Sequence, residues 1–204
     1  MATTLALTCQ ACGAQLPDDA LYCPRCATGR DDPRTAPLYV VDRMTGLFND
    51  TFTEALADHE TSRAIRYHRP LAILVGEIDH MDFIAADLGP ARAADMLHEV
   101  ADVLQGAVRD IDTVGWLGDR YCIVLPETDH GGAETAANNV MRAVATHEYT
   151  AGGNWTRVTM SLGAASVNPD RMGRQDLIEL AARALREGRE DGATNRLHLA
   201  QTQL

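Results

Sequence analysis

The chain has 204 residues, a formal net charge of −11, and 46% hydrophobic and 23% charged residues. That length holds one α/β domain of ordinary size plus a small appendage, and the composition is not that of a disordered chain. The acidic balance repels phosphate backbones and argues against general nucleic-acid binding, while no apolar run approaches the ~20 residues needed to span a bilayer.

Met1 to Thr8 carries no basic residue and only a short apolar stretch. This is a poor secretory signal, so a cytoplasmic protein is expected. Four of the five cysteines lie within the first 26 residues, and in a reducing compartment such clustering favours metal over disulfides. Cys9-Gln-Ala-Cys12 and Cys23-Pro-Arg-Cys26 are two C-x-x-C knuckles ten residues apart. Each offers two thiolates on a tight turn, and together they complete a tetrahedral zinc site. The alternative is a redox pair or two disulfides, which the second knuckle disfavours. The arrangement resembles the zinc-ribbon family. With four sulfur ligands no position is open to substrate, so the zinc is structural, and so small a module folds only with its metal. Residues 1–30 carry only Arg25 and Arg30 against Asp18 and Asp19, which points to protein contact or dimerisation before nucleic acid.

The ribbon is assigned to residues 1–28, a polar linker with Pro33 and Pro37 to 29–37, and a second domain to 38–204. In that domain the periodicity predicts a helix over Asp50–His68 and, after Pro70, a buried strand over Leu71–Val75. A long amphipathic helix is predicted over Ala91–Val108. Strands over Thr113–Leu117 and Arg120–Leu125 are expected to flank a two-residue Gly118-Asp119 turn. A helix over Ala133–Thr146, a strand over Arg157–Val167, a helix over Gln175–Glu190 and a short strand over Arg196–Leu199 complete the chain. Strands joined partly by hairpins and partly by helices imply an α/β (α+β) fold, a mixed sheet with helices packed on it.

Several segments of this domain occur in a recognisable order. Asp42-Arg-Met-Thr-Gly-Leu-Phe-Asn49 is followed by Pro70-Leu-Ala-Ile-Leu-Val-Gly-Glu-Ile-Asp-His80, then Val114-Gly-Trp-Leu-Gly-Asp-Arg-Tyr121, then Thr159-Met-Ser-Leu-Gly-Ala164 and Ala182-Arg-Ala-Leu-Arg-Glu-Gly-Arg189. They resemble the GGDEF family over about residues 38–200. The resemblance implies a polymerase-like palm in which two copies face one another, each presenting a GTP. In that family carboxylates hold Mg²⁺, which activates a 3′-hydroxyl and neutralises phosphate charge.

The departures from the family pattern fall on the site. The first metal ligand corresponds to Glu77, which keeps its carboxylate. The signature is reduced to Gly118-Asp119-Arg120-Tyr121, one glycine short. Asp119 keeps the metal-binding acid, so Glu77 and Asp119 are the candidate residual Mg²⁺ ligands. The next acid has become Arg120, which either competes with Mg²⁺ for negative charge or, if strand alternation holds, points to the opposite face. Eight and seventeen residues after Glu77, where the family reads the guanine edge with an asparagine and an aspartate, stand Ala85 and Ala94. Alanine offers no donor or acceptor. After Gly89, Pro90 replaces the usual histidine. Arg189 stands for the family's lysine on the triphosphate, and that lysine's partner arginine falls at Ala193.

Arg109-Asp-Ile-Asp112 matches R-x-x-D, the family's allosteric site for cyclic di-GMP, so Arg109 and Asp112 are the candidate ligand residues. The bland alternative is an i, i+3 ion pair at a helix end. Cys122 in its apolar strand reads as a buried small hydrophobe, Trp116 as packing, and the scattered histidines as surface or edge residues. The expected function is a non-catalytic regulatory module that binds a protein partner and cyclic di-GMP, with homodimerisation open. The rival is a nucleotide cyclase that acts on a substrate other than GTP.

Overall fold

Once Pro70 has ended the preceding helix, the apolar run behind it becomes the centre of the sheet. In the computed structural model, which describes residues 8–9, 14–17, 40–151, 153–155, 157–167, 176–190 and 192–200, strand β1 spans Leu71–Ile78 and is buried throughout except at Glu77. Strands β2 (Thr113–Trp116), β3 (Tyr121–Pro126), β4 (Met160–Val167) and β5 (Leu197–Leu199) complete a five-stranded sheet in the order β2-β3-β1-β4-β5. β1 pairs antiparallel with both β3 and β4, whereas β5 runs parallel to β4. The sheet is mixed.

Alternation along β1 sorts its side chains between two layers. Ala72, Leu74 and Ile78 pack in one core with residues of α3 (Pro90–Ala107) and α4 (His130–Thr146). Leu71, Ile73 and Val75 pack in the other with residues of α1 (Asp50–Tyr67) and α5 (Leu177–Gly188). A further helix, α2 (Met81–Leu88), buries Ile84 and joins α3 through Gly89, whose φ of +76° makes the sharp corner. Eight residues are too few for periodicity to distinguish from a turn, and α2 was not expected. Pro90 takes the first position of α3, where its missing N–H costs no hydrogen bond.

The chain divides into two compact units, Met1–Tyr39 and Val40–Leu204. In the first, Cys9 is buried, its N–H donates to the Ala14 carbonyl at 2.8 Å, and Thr8 pairs antiparallel with Gln15. Cys12, Cys23, Cys26 and the linker 29–37 lie outside the described residues. Among the described residues no helix is long and apolar enough to cross a membrane.

Several opening-motif residues have a local task. The Asp42 carboxylate accepts from the Met44 and Thr45 N–H groups and the Thr45 hydroxyl, at 3.1, 2.8 and 2.9 Å. Asn49 caps α1 by accepting from the Phe52 N–H at 3.0 Å. The Phe48 carbonyl accepts the Trp116 N–H at 2.7 Å, so the motif covers part of the edge of β2. Such caps and covered edges give these residues a structural role.

Several boundaries differ from expectation. α4 starts at His130, three residues early, because Asp129 caps it through the Gly132 N–H at 2.8 Å. β4 begins at Met160, so Arg157–Thr159 lie outside the strand. The β2–β3 connection is the four-residue loop 117–120 instead of a two-residue turn, although the Leu117 N–H still donates to the Arg120 carbonyl at 2.8 Å. His198 is no simple edge residue either. Its Nε2 is buried with no hydrogen-bond partner among the described residues, and its ring packs on Gly188.

Glu99 fastens the segment after α4 to α3. Its carboxylate accepts from the Thr150 and Ala151 N–H groups at 3.0 Å, from the Thr150 hydroxyl, and contacts His147 Nε2 at 3.1 Å. Burial alone would raise its pKa, but the bonds from Thr150, Ala151 and His147 outweigh that and hold it below the ordinary 4.5. A depressed folded value means the contribution to stability is complete above the unfolded pKa and is lost as pH falls through the folded one. Glu99→Gln is therefore expected to cost about 1 kcal/mol at pH 7. Urea midpoints for the two proteins should converge on acidification below pH 4.5; an equal gap at pH 7 and at pH 3 would contradict the assignment.

Candidate functional site

The end of β1, the β2–β3 loop and the end of α5 converge on one cleft of about 490 Å³. Glu77 enters it because it is the single β1 position not covered by a core layer; its side chain is 28% exposed. Gly118, with φ +78°, turns the loop so that Asp119 projects into solvent, 74% exposed, while Arg120 folds back. Arg120 Nε donates to Glu77 Oε1 at 2.6 Å, and Arg189, the residue capping α5, donates from Nη1 to Glu77 Oε2. Arg120 lies in the loop, outside the ladder, so strand alternation does not turn it away from the cleft. Burial on its own would lower the Arg120 pKa, but the bond to Glu77 and the charges of Asp119, Glu77 and Glu179 raise it.

Both oxygens of Glu77 are thus held by guanidinium groups. A magnesium ion needs oxygen ligands with unshared charge facing it. Here the two arginines occupy that position with positive charge of their own, and Asp119 lies 3.7 Å from Arg120 Nη2. The donor set does not fit Mg²⁺. Asp79, two residues along, supplies no substitute. It is 2% exposed and accepts from Thr159 Oγ1, Ser161 Oγ and the Asn195 N–H at 2.6, 2.7 and 2.8 Å, tying β1 to β4 and the approach to β5. Among the described residues no three His, Cys, Asp or Glu side chains gather as a metal-ion cluster.

Ala85 on α2 and Ala94 on α3 are both half-buried, and their methyl groups present no polar atom. Tyr121 is buried and donates its hydroxyl to the Leu97 carbonyl at 2.8 Å, and Trp116 packs edge-on against it with ring centroids 4.8 Å apart. Both are core residues. Cys122 is fully buried, and burial, with a smaller contribution from Glu54, pushes its thiol up to about 12, so it is no nucleophile.

Arg109 and Asp112 lie elsewhere, in the turn between α3 and β2. They bind each other. Arg109 Nε and Nη2 make a fork onto the two Asp112 oxygens at 3.0 Å, and Nη2 also donates to Thr128 Oγ1 at 2.7 Å. The Asp112 side chain is 3% exposed and Arg109 55% exposed. Beside them runs a groove of about 430 Å³ lined in part by Thr128, Asp129 and Asn139. Asp112 thus serves the turn, and of the pair only Arg109 is exposed.

Sequence reasoning named Glu77, Arg120 and Arg189 separately. It did not foresee that one carboxylate would take both arginines, because Arg189 is 112 positions away and no local pattern encodes the meeting.

Against this geometry, the family described as "Diguanylate cyclase, GGDEF domain" matches residues 39–195. The chain belongs to the GGDEF family. Among curated proteins, this GGDEF chain is 29% identical over 135 residues to diguanylate cyclase A of Treponema denticola, covering 66% of this chain and 36% of that protein. It is 26% identical over 156 residues to the cyclic di-GMP phosphodiesterase NbdA of Pseudomonas aeruginosa, covering 76% and 20%. The chain therefore spans about a third or less of these relatives' length. Among solved structures, the GGDEF domain of DgcB from Caulobacter crescentus, in complex with c-di-GMP, superposes with a TM-score of 0.70 at 19% identity, over 80% of this chain and 94% of that one. The FimX GGDEF domain from Pseudomonas aeruginosa gives 0.71 at 18%, over 78% and 98%. These likenesses establish the GGDEF fold, a mixed sheet between helices.

Proposed function

We propose that this chain is a non-catalytic GGDEF module that works in cyclic di-GMP signalling by contact with a protein partner. The observation that carries this reading is the Glu77 carboxylate held between Arg120 and Arg189. Metal-assisted attack on an α-phosphate needs that carboxylate for the metal, and here it neutralises side chains of its own protein. Ala85 and Ala94 add an independent loss, since a guanine edge finds no partner there. Protein contact has a precedent among the likenesses: the diguanylate cyclase SiaD was solved with its activator SiaC, and it superposes with a TM-score of 0.71 at 23% identity.

A second reading adds cyclic di-GMP itself as a ligand of Arg109, favoured by the exposed guanidinium above its groove. It requires Arg109 to exchange part of its fork on Asp112 for the ligand. Calorimetric titration separates the readings. GTP with Mg²⁺ is expected to give no heat and, on incubation, no cyclic dinucleotide by chromatography. Cyclic di-GMP that binds wild type but not Arg109→Ala adds the second-messenger site. A dinucleotide product from GTP or another nucleoside triphosphate would overturn the non-catalytic reading in favour of a cyclase.

The two knuckles support a structural zinc held by Cys9, Cys12, Cys23 and Cys26, through the ligand number and spacing such sites use. The burial of Cys9 agrees with that role. Metal analysis of the purified chain is expected to find about one zinc per molecule, lost together with the fold of the N-terminal unit on chelation. A metal-free preparation with the same N-terminal protease resistance would refute the ribbon.

A further inference from the structure

We propose, on the non-catalytic reading above, that His198 is the positioning residue of the clamp: its ring seats the end of α5 so that Arg189 closes on Glu77. The two arginines reach that carboxylate by different routes. Arg120 is brought there by its own short loop, whose ends are joined by the bond from the Leu117 N–H to the Arg120 carbonyl. Arg189 stands at the C-cap of α5, a position where helices fray. Its long side chain must give up rotamer freedom to meet a carboxylate that is itself partly exposed, and such pairs contribute little unless the geometry is held in advance.

The contact that holds it is one residue earlier. A Cβ on Gly188, the last residue of α5, would lie 1.9 Å from His198 Nδ1, 2.0 Å from Cγ and 2.3 Å from Cε1, so the imidazole lies directly across the glycine. The backbone does not call for glycine there: its φ is not positive, and glycine in a helix is otherwise unfavourable. The ring calls for it. His198 is placed in turn by β5, in register with Gly163 of β4, whose missing Cβ lets α5 come down at Ala181 and Leu185. α5 therefore meets the sheet at two glycine contacts, and the second directly precedes Arg189. The segment returning from Arg189 to β5 is tied to β1 as well, through the Asn195 N–H on Asp79 at 2.8 Å.

The ring acts by its shape. His198 Nε2 is buried with no hydrogen-bond partner among the described residues, so no bond from that atom sets where the ring lies. A buried nitrogen left without a partner costs stability, and a flat apolar ring of similar width should serve the seat equally well.

The test is a double-mutant cycle between Glu77→Ala and Arg189→Ala, measured by urea denaturation of the full-length chain in wild-type, His198→Ala and His198→Phe backgrounds. The coupling between Glu77 and Arg189 is expected to fall to about half or less in His198→Ala and to keep its wild-type value in His198→Phe. The coupling between Glu77 and Arg120, measured alongside, should keep its wild-type value in both. Gly188→Ala disturbs the same contact from the other side and should lower the Glu77–Arg189 coupling too, with Gly188→Ala/His198→Ala recovering part of it. A purely structural role for His198 would lower the urea midpoint and leave both couplings unchanged, which would overturn the proposal. So would a loss in His198→Phe equal to that in His198→Ala. Coupling present in wild type but indifferent to His198 removes only the seat, whereas coupling absent from wild type removes the clamp and, with it, the observation that carries the non-catalytic reading.

Discussion

Replacing Gly163 with alanine is expected to remove at least about 3 kcal/mol of the stability of the domain, out of the roughly 5–15 kcal/mol such folds possess. Gly163 lies in β4 beneath α5, and a Cβ there would sit 2.0 Å from the Ala181 carbonyl oxygen and 2.7 Å from the Leu185 N–H nitrogen. Both are helix backbone atoms. No side-chain rotation relieves the overlap, so α5 must lift from the sheet along Leu177, Ala181 and Leu185, the residues that seal its core layer. Gly76 is the control. Its Cβ would meet Leu162 Cδ2 at 2.4 Å, the far end of a flexible side chain that can turn aside. Urea denaturation should show Gly163→Ala with a much lower midpoint than Gly76→Ala. Equal midpoints would mean that the approach of α5 to β4 is not the constraint described here. The displacement would also carry Arg189 away from Glu77, so the cleft should change with the fold.

Glu77→Ala is expected to cost about 2 kcal/mol, less than for a fully buried pair because all three side chains are partly exposed. The loss comes from leaving Arg120 and Arg189 facing each other with no shared counter-charge. In an Arg120→Ala/Arg189→Ala background the same substitution should cost little, because the charges that need Glu77 are gone. A cycle of these variants measures the coupling directly. The double-arginine variant has a second consequence. With both oxygens of Glu77 released, it should acquire Mg²⁺ affinity that wild type is not expected to show. A Glu77→Ala cost that is the same in both backgrounds, or Mg²⁺ binding by wild type at these residues, would contradict the arginine-held carboxylate.

The two experiments mark the division between what is local and what is assembled. Patterning located most of the helices and strands, through the apolar run after Pro70 and the spacing of Met96, Val100 and Leu104, while the succession of motifs from Asp42 to Arg189 carried the family resemblance. These signals are readable because burial imposes a period of two or of about 3.6 on neighbouring residues. The helix α2 escaped notice because it is a little over two turns long, and the start of α4 was obscured by Gly131 and Gly132, whose low helix propensity Asp129 offsets by capping.

For the site, the sequence named its members and could not state their relations. That Ala85 and Ala94 present no polar edge follows from their identity wherever they stand. Whether Arg120 would face Glu77 or turn away depended on its position in the loop or in the ladder, and Arg189 reaches the same carboxylate only because α5 returns over β4. Gly163 shows the same division: its motif is visible in the strand, but its necessity lies in backbone atoms of a helix that begins fourteen residues later. Short-range periodicity is written along the chain, whereas an ion pair or a close backbone approach is a property of two segments, and only the tertiary structure brings the second to the first.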